Sequence, residues 1–393
     1  MILKTVIQWL IQRILAHGYL KRLIQGLLAR QPRLDFWLRH RVIPFIFNKV
    51  QSQQNLDTLE NIILNNVHIK FHTAALADNR GIGRVSQALL NELQQLAPEN
   101  LSSTPENSVH FYPTIHWCPK QLPHPSCILI HDVIPLIFPE YFGQISQHWQ
   151  QQLKPIAQQA DQIITISQAS ADDIAQYLSI PRDKIEVIYN GIVPLQLDKP
   201  AVNAVPINAE PIKNEAPYIV FLGSNDPHKN IEIILKALPL LQDNTIQLHL
   251  IGHNETVKAL AEQYGVADRI QVLGRLDDQQ MVAVVHQAVV LVFPSLYEGF
   301  GLPPFEAAFL ETPSICSRRP AMTELLEGAC LFCEPDDPQA WADAIQKYMG
   351  DAPLRQKMIE NTQKIAQQLN WNNAAKNFVN VFAKMPKKHR NKL

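Results

Sequence analysis

Short apolar, β-branched runs recur along this chain with helical stripes between them, and they do so in two separate series. In the first, Val67-His68-Ile69-Lys70-Phe71 alternates as a strand does, and a helix with Val85, Leu89 and Leu93 on one stripe follows. Further strand-like runs come at Cys127–Ile130, Gln162–Ile166 and Ile185–Ile188, with a helix around Ala171–Leu178. The second series opens at Tyr218–Leu222 and continues at Gln247–Ile251, Gln271–Leu273 and Val289–Phe293. Strands separated by helices pair in parallel and are covered on both faces, so each series predicts one Rossmann-like α/β unit. Between them, residues 197–217 are rich in Pro, Ala and Asn and have no periodicity, which predicts a linker. A chain of 393 residues also exceeds what one hydrophobic core usually organises. The expected order is a basic amphipathic helical extension over 1–64, a first domain over 65–196, the linker, a second domain over 218–370, and a terminal helix with a basic tail over 371–393.

The formal net charge of −1 leaves no nucleic-acid footprint. The charge is unevenly spread, however, because residues 1–50 hold nine Lys or Arg against a lone Asp35. Apolar pairs at Ile2-Leu3, Val6-Ile7, Leu10-Ile11 and Ile14-Leu15 recur at helical spacing between those basic residues. Such a helix suits an anionic membrane surface, with Trp9 at the interface, or equally the flank of a domain. Lys4 and Arg13 interrupt it, so no bilayer span or secretory signal is expected. Five cysteines give no disulfide framework, and Cys330 and Cys333 have no second pair to complete a zinc site.

The densest signal lies in Ser295-Leu296-Tyr297-Glu298-Gly299-Phe300-Gly301-Leu302-Pro303-Pro304-Phe305-Glu306. It follows a buried strand and opens a helix, so Glu298 and Glu306 flank a glycine loop at the strand-to-helix turn where α/β proteins bind ligands. Gly299 and Gly301 let the backbone turn its N–H groups toward an anion. A carboxylate beside them suits sugar hydroxyls. This segment resembles the E-x7-E motif of the retaining family-4 glycosyltransferases, including the intervening Gly-Phe-Gly-Leu-Pro. That family has the GT-B fold, with two Rossmann-like domains facing across a cleft.

Other segments fit the same resemblance, which runs from about residue 67 to 375. Gly223-Ser224, then His228-Lys229-Asn230, looks like the element whose basic pair holds the donor's pyrophosphate, although arginine is usual where His228 stands. His131-Asp132-Val133-Ile134-Pro135 resembles the His-Asp-x-x-Pro element whose histidine faces the transferred sugar. Gly81-Ile82-Gly83-Arg84 resembles a loop that approaches the donor phosphates. A dinucleotide fingerprint fails there because Ser86 stands in place of the third glycine. Arg275, after Gly274, falls where the family's backbone meets the nucleobase, and Glu324 matches a further family glutamate. Gly83 and His131 stand closer together than is usual, which implies a trimmed strand–helix unit near the acceptor side.

The resemblance implies a retaining hexosyltransferase. It would use a nucleoside-diphosphate sugar as co-substrate and a glycan or lipid-linked acceptor, in cell-surface polysaccharide synthesis. The first domain would be the acceptor side and the second would hold the nucleotide sugar. Glu306 is expected on the ribose. Lys229, His228 and the N–H groups of Gly301 and Leu302 are expected on the diphosphate, and Glu298 with His131 on the sugar. Gly299 and Phe300 complete the implied donor site. No Asp-x-Asp occurs, so no metal or other cofactor is expected. The implied place is the cytoplasm, at the inner membrane face if residues 1–50 bind anionic lipid. Two alternatives stay open: a non-catalytic nucleotide-sugar-binding scaffold, and a phosphorylase-like GT-B enzyme.

Overall fold

The computed structural model describes residues 58–386, except 65, 79–80, 98–106, 196–215, 225 and 253–256. The amphipathic helices expected at the N-terminus, nearly all of the linker, and the basic tail from residue 387 therefore lie outside the described residues.

Twelve strands form two six-stranded sheets among the described residues. The first contains β1 (Leu59–Leu64), β2 (Val67–His72), β3 (Asn107–Tyr112), β4 (Ser126–Leu129), β5 (Gln162–Thr165) and β6 (Ile185–Val187), in that order. All pairs from β2 onward are parallel, whereas β1 runs antiparallel to β2. Residues 59–64 thus belong to the first sheet and not to the N-terminal extension. Ile62 and Leu64 point into the core opposite Ile69 and Val67, and Asn66 turns the hairpin at φ 62°. Strand β3 has no counterpart in the sequence reading, yet its Val109 and Phe111 are fully buried.

Alternating strand residues feed two cores on opposite faces of this sheet. Helix α1 (Gly81–Leu96) covers one face with Val85, Leu89 and Leu93. Helix α2 (Gln168–Leu178) covers the other with Ala171, Ile174 and Leu178.

The second sheet contains β7 (Tyr218–Leu222), β8 (Gln247–Ile251), β9 (Ile270–Gly274), β10 (Val290–Phe293), β11 (Ser314–Ser317) and β12 (Leu331–Cys333). Its spatial order is β12-β11-β10-β7-β8-β9, all parallel. The chain starts in the middle, winds outward to β9, then returns to β10 on the other side of β7. This reversal opens a crevice at the carboxyl ends of β7 and β10, because their following loops leave toward opposite faces. Helices α3 (Leu302–Phe309) and α4 (Pro320–Leu326) follow β10 and β11. Cys330 and Cys333 are buried free thiols at β12, in keeping with strand packing.

The last described helix, α5 (Trp371–Lys384), returns to the first domain. Phe378 and Phe382 lie with their ring centroids 5.5 and 5.2 Å from that of Phe111. Asn372 Nδ2 donates to Glu92 Oε1 of α1 at 2.7 Å. Gly191 makes the entry possible, since a Cβ there would sit 2.4 Å from the Trp371 ring. The first domain's core is therefore finished by the end of the chain. Phe382→Ala should cost about 3–5 kcal/mol. Denaturant melts that show no loss of stability would mean that α5 is not part of that core.

Candidate active site

The site forms where the switch point of the second sheet meets the first domain. After β7, Pro227–Lys229 makes one 3₁₀ turn that ends at Asn230, with φ 52°. The loop after β10 is fastened to that turn, since Leu296 N donates to the His228 carbonyl at 2.7 Å. Lys229 Nζ then lies 2.6 Å from Glu298 Oε1, with side chains 20% and 12% exposed. Gly301 ends the loop at φ 87°, and a Cβ there would lie 2.4 Å from Met322 Cε. Pro303 and Pro304 carry no N–H, so the start of α3 can offer a ligand only the N–H groups of Gly301 and Leu302.

The opposite wall comes from the first domain, just after β4. His131 Nε2 donates to the Pro113 carbonyl at 3.2 Å. Burial lowers its pKa to about 4, against the opposing pull of that bond and of Asp78, so the ring is neutral. Asp132 Oδ1 accepts from Ile134 N at 3.1 Å. Burial, with a smaller push from Glu298, raises its pKa to about 6, although the Ile134 N–H and Lys229 oppose this. Both residues are partly exposed, although protein atoms surround them densely. Gly299 presses directly on them. A Cβ at 299 would sit 2.9 Å from the His131 carbonyl oxygen and 3.2 Å from Asp132 Cβ.

The amino end of α2 grips the same loop. Ser167 Oγ, the residue that caps α2, donates to the Gly299 carbonyl at 2.7 Å, and Ser170 Oγ reaches it at 3.4 Å. Tyr297 Oη donates to Asp173 Oδ2 at 2.5 Å. From α4, Glu324 accepts the free N–H groups of Gln168 and Ala169 at 2.8 and 3.1 Å. A carboxylate of one domain thereby satisfies the helix end of the other.

The structure brings together His131, His228, Lys229, Glu298 and Gly299. It places Glu306 one step away on α3, 3.2 Å from Arg84 of α1. Burial raises the Glu306 pKa, and Arg84 opposes that rise. Three sequence expectations change. Gly81 and Gly83 are not a loop but the first turn of α1, because Gly83 lets the Asp78 carbonyl close on the helix start, where a Cβ would lie 1.7 Å away. His228 is not an exposed cation. It is buried against Phe142, 5.7 Å between ring centroids, with Nδ1 lacking a partner, and burial with Lys229 lowers its pKa to about 4. The ring of Phe300 packs into the core beside Phe305, which leaves only its backbone for a ligand. Arg275 stands exposed at the end of β9, on the same carboxyl edge of the sheet as Gly223. The hydroxyl of Ser224 is bonded to the carboxylate of Asp226. Sequence reasoning missed Arg84 and Asp173 as partners, which meet Glu306 and Tyr297 only through the fold, missed the local contact of Asp226 with Ser224, and gave Asp132 no role.

Residues 73–194 match the family model described as Glycosyltransferase Family 4, and residues 206–365 match Glycosyl transferases group 1. The O-antigen chain mannosyltransferase RfbU of Salmonella typhimurium is 28% identical over 56% of this chain and 59% of its own length. The O-antigen chain mannosyltransferase B of Escherichia coli is 25% identical over 64% and 68%. This chain thus matches only part of RfbU. Among solved structures, HepE of Anabaena, with UDP and glucose bound, superposes with a TM-score of 0.56 at 18% identity over 79% of this chain and 85% of that one. The sucrose-phosphate synthase of Thermosynechococcus elongatus gives 0.55 at 21% over 70% and 73%. These two likenesses are of fold.

His131, His228 and His249 are neutral near pH 7 because burial lowers each pKa to about 4, below the unfolded 6.5. The folded state therefore binds fewer protons than the unfolded one below pH 6.5. Their stability contribution is present above that pH and is lost as pH falls toward 4, at up to about 1.4 kcal/mol per unit for each. Asp132 works in the opposite direction over about pH 4–6 and offsets one of them. His249→Phe keeps a ring against Tyr218, 3.9 Å away, and should flatten the acid-side fall in melting temperature. An unchanged pH profile in that variant would count against a neutral His249.

Proposed function

We propose that this chain, a member of glycosyltransferase family 4 with the GT-B fold, is a retaining hexosyltransferase that uses a nucleoside-diphosphate sugar. The observation that carries this reading is the Lys229–Glu298 pair at the switch point of the second sheet, with the His131 backbone of the first domain packed against the adjoining Gly299. A diphosphate needs a cation and free N–H groups, and Lys229, Gly301 and Leu302 supply them. A sugar that becomes oxocarbenium-like needs a carboxylate close by, and Glu298 is freed for it when the phosphates take Lys229. Glu306 is itself largely buried but its partner Arg84 is 63% exposed, and it exchanges that partner for the ribose hydroxyls. No side chain is placed as a covalent nucleophile in this reading. Attack comes from the face that the diphosphate leaves, and the leaving phosphate accepts the acceptor's proton.

Two of its relatives are named as O-antigen mannosyltransferases, which supports a surface polysaccharide as the product and mannose as the first sugar to test. Charge at the diphosphate is carried by Lys229 and the N–H groups, so transfer should survive chelation of divalent ions.

Three substitutions separate the roles. Glu306→Ala should weaken free nucleotide and donor alike, by about 1.5–3 kcal/mol for each charged hydrogen bond lost. Lys229→Ala should lower affinity for a diphosphate more than for a monophosphate. Glu298→Gln should leave nucleotide binding intact while turnover falls. Calorimetry and single-turnover transfer measure these, and full transfer activity in Glu298→Gln would remove it from the sugar site.

Residues 1–50 would hold the enzyme at an anionic membrane face, next to a lipid-linked acceptor, each basic residue adding about 1 kcal/mol. Among the described residues no helix is long and apolar enough to cross a membrane. Deletion of residues 1–50 should abolish cosedimentation with anionic vesicles and preserve donor binding. Full-length protein that ignores such vesicles at low salt would end the membrane reading.

A further inference from the structure

Two carboxylates from opposite domains lie at the seam, Glu298 in contact with Lys229 and Asp132 packed under the adjoining glycine. Glu298 of the second domain holds Lys229 at 2.6 Å. Asp132 of the first domain lies under the next residue, Gly299, and both Glu298 and Lys229 act on its charge. One of its oxygens accepts a single backbone N–H, that of Ile134. Each neighbouring titratable group is occupied otherwise. His131 is neutral and donates to Pro113. Tyr297 donates to Asp173. Arg84 pairs with Glu306. His228 is buried beside Lys229, faces Asp226 and Glu298, and is packed by Phe142.

We propose that a nucleoside diphosphate binding at this seam takes up a proton from solution, and that Asp132 is the group that receives it. This rests on the reading of Lys229 as the diphosphate's partner. Lys229 cannot fully serve the phosphates while it stays bonded to Glu298. Once it turns to the ligand, Glu298 and Asp132 lose its attraction and also feel the added negative charge. Like charges in a poorly hydrated site raise a carboxyl pKa, and here both changes push the same way. Asp132 already titrates at about 6, so a modest further rise carries it across neutral pH. His228 starts at about 4 and would have to rise much further, with no partner in place for its Nδ1. The proton neutralises one carboxylate beside Glu298, the residue that meets the sugar. Asp132 is in this sense a positioning residue: it touches neither reacting atom and adjusts the charge around Glu298.

The sign of the pH dependence follows. The complex binds more protons than the free protein, so affinity falls as pH rises, by up to about tenfold per unit between the free and bound pKa of Asp132. The test is calorimetric titration of the full chain with GDP, UDP and ADP at pH 7.5, in two buffers of different ionisation enthalpy. At that pH the terminal phosphate, with its ionisation near about 6, is already deprotonated and releases almost nothing. The wild-type chain should take up between about 0.3 and 1 proton per nucleotide. Asp132→Asn should still bind the nucleotide, with the uptake abolished and the pH slope of Kd flattened. His228→Asn should retain the uptake. Binding without proton exchange in the wild type would overturn the proposal and leave the donor site standing. Uptake that persists in Asp132→Asn, or vanishes only in His228→Asn, would overturn the assignment to Asp132. If none of the three nucleotides binds, the donor-site reading itself fails.

Discussion

The backbone of Gly299 pressed against His131 and Asp132 is the contact on which the site depends. The residues on both sides of Glu298 are fastened to the first domain: Tyr297 through Asp173, and Gly299 through Ser167 and Ser170. Glu298 has little freedom of its own, and its place is set by how the two domains meet. A Cβ at 299 would force the His131 carbonyl away and part the seam. Approach of the domains and assembly of the site are therefore one event. Glu324 reinforces this by giving α2 the acceptor that its free N–H groups need.

Charge at the seam follows a consistent pattern. Both glutamates of the loop-and-helix segment are held by cations, Glu298 by Lys229 and Glu306 by Arg84. Lys229 and Glu298 are largely buried, so breaking their pair leaves a charge uncompensated unless another group of matching charge takes its place. The histidines nearby are kept neutral by burial, which leaves Lys229 as the fixed positive charge facing the two carboxylates among the described residues. His228 is thus a packing element between Phe142 and Lys229 and not a second cation.

Folding order carries a related constraint. The first sheet's core contains Phe378 and Phe382 from the last helix, so the first domain cannot complete its packing before the whole chain is made. The two domains are coupled at both ends: by the seam at the site, and by α5 on the far side of the second domain's sequence.

Much was legible in sequence because its physics is local. Alternating and helical apolar periods announced most strands, and an apolar run followed by glycines and a helix start marked the strand-to-helix turn at Glu298. Strand β1 escaped because its outer face is exposed and its sequence lies next to a polar stretch; β3 escaped because its period is short and has turn residues close by. Local pattern determined which residue types stand at the carboxyl ends of strands. Only the tertiary structure decided who pairs with whom: Arg84 with Glu306 across 222 positions, Tyr297 with Asp173 across 124, and Glu324 with the end of α2. The reason is physical. Propensity and periodicity act within a few residues of the chain, whereas an ion pair or a buried histidine's charge depends on surroundings that the fold alone assembles.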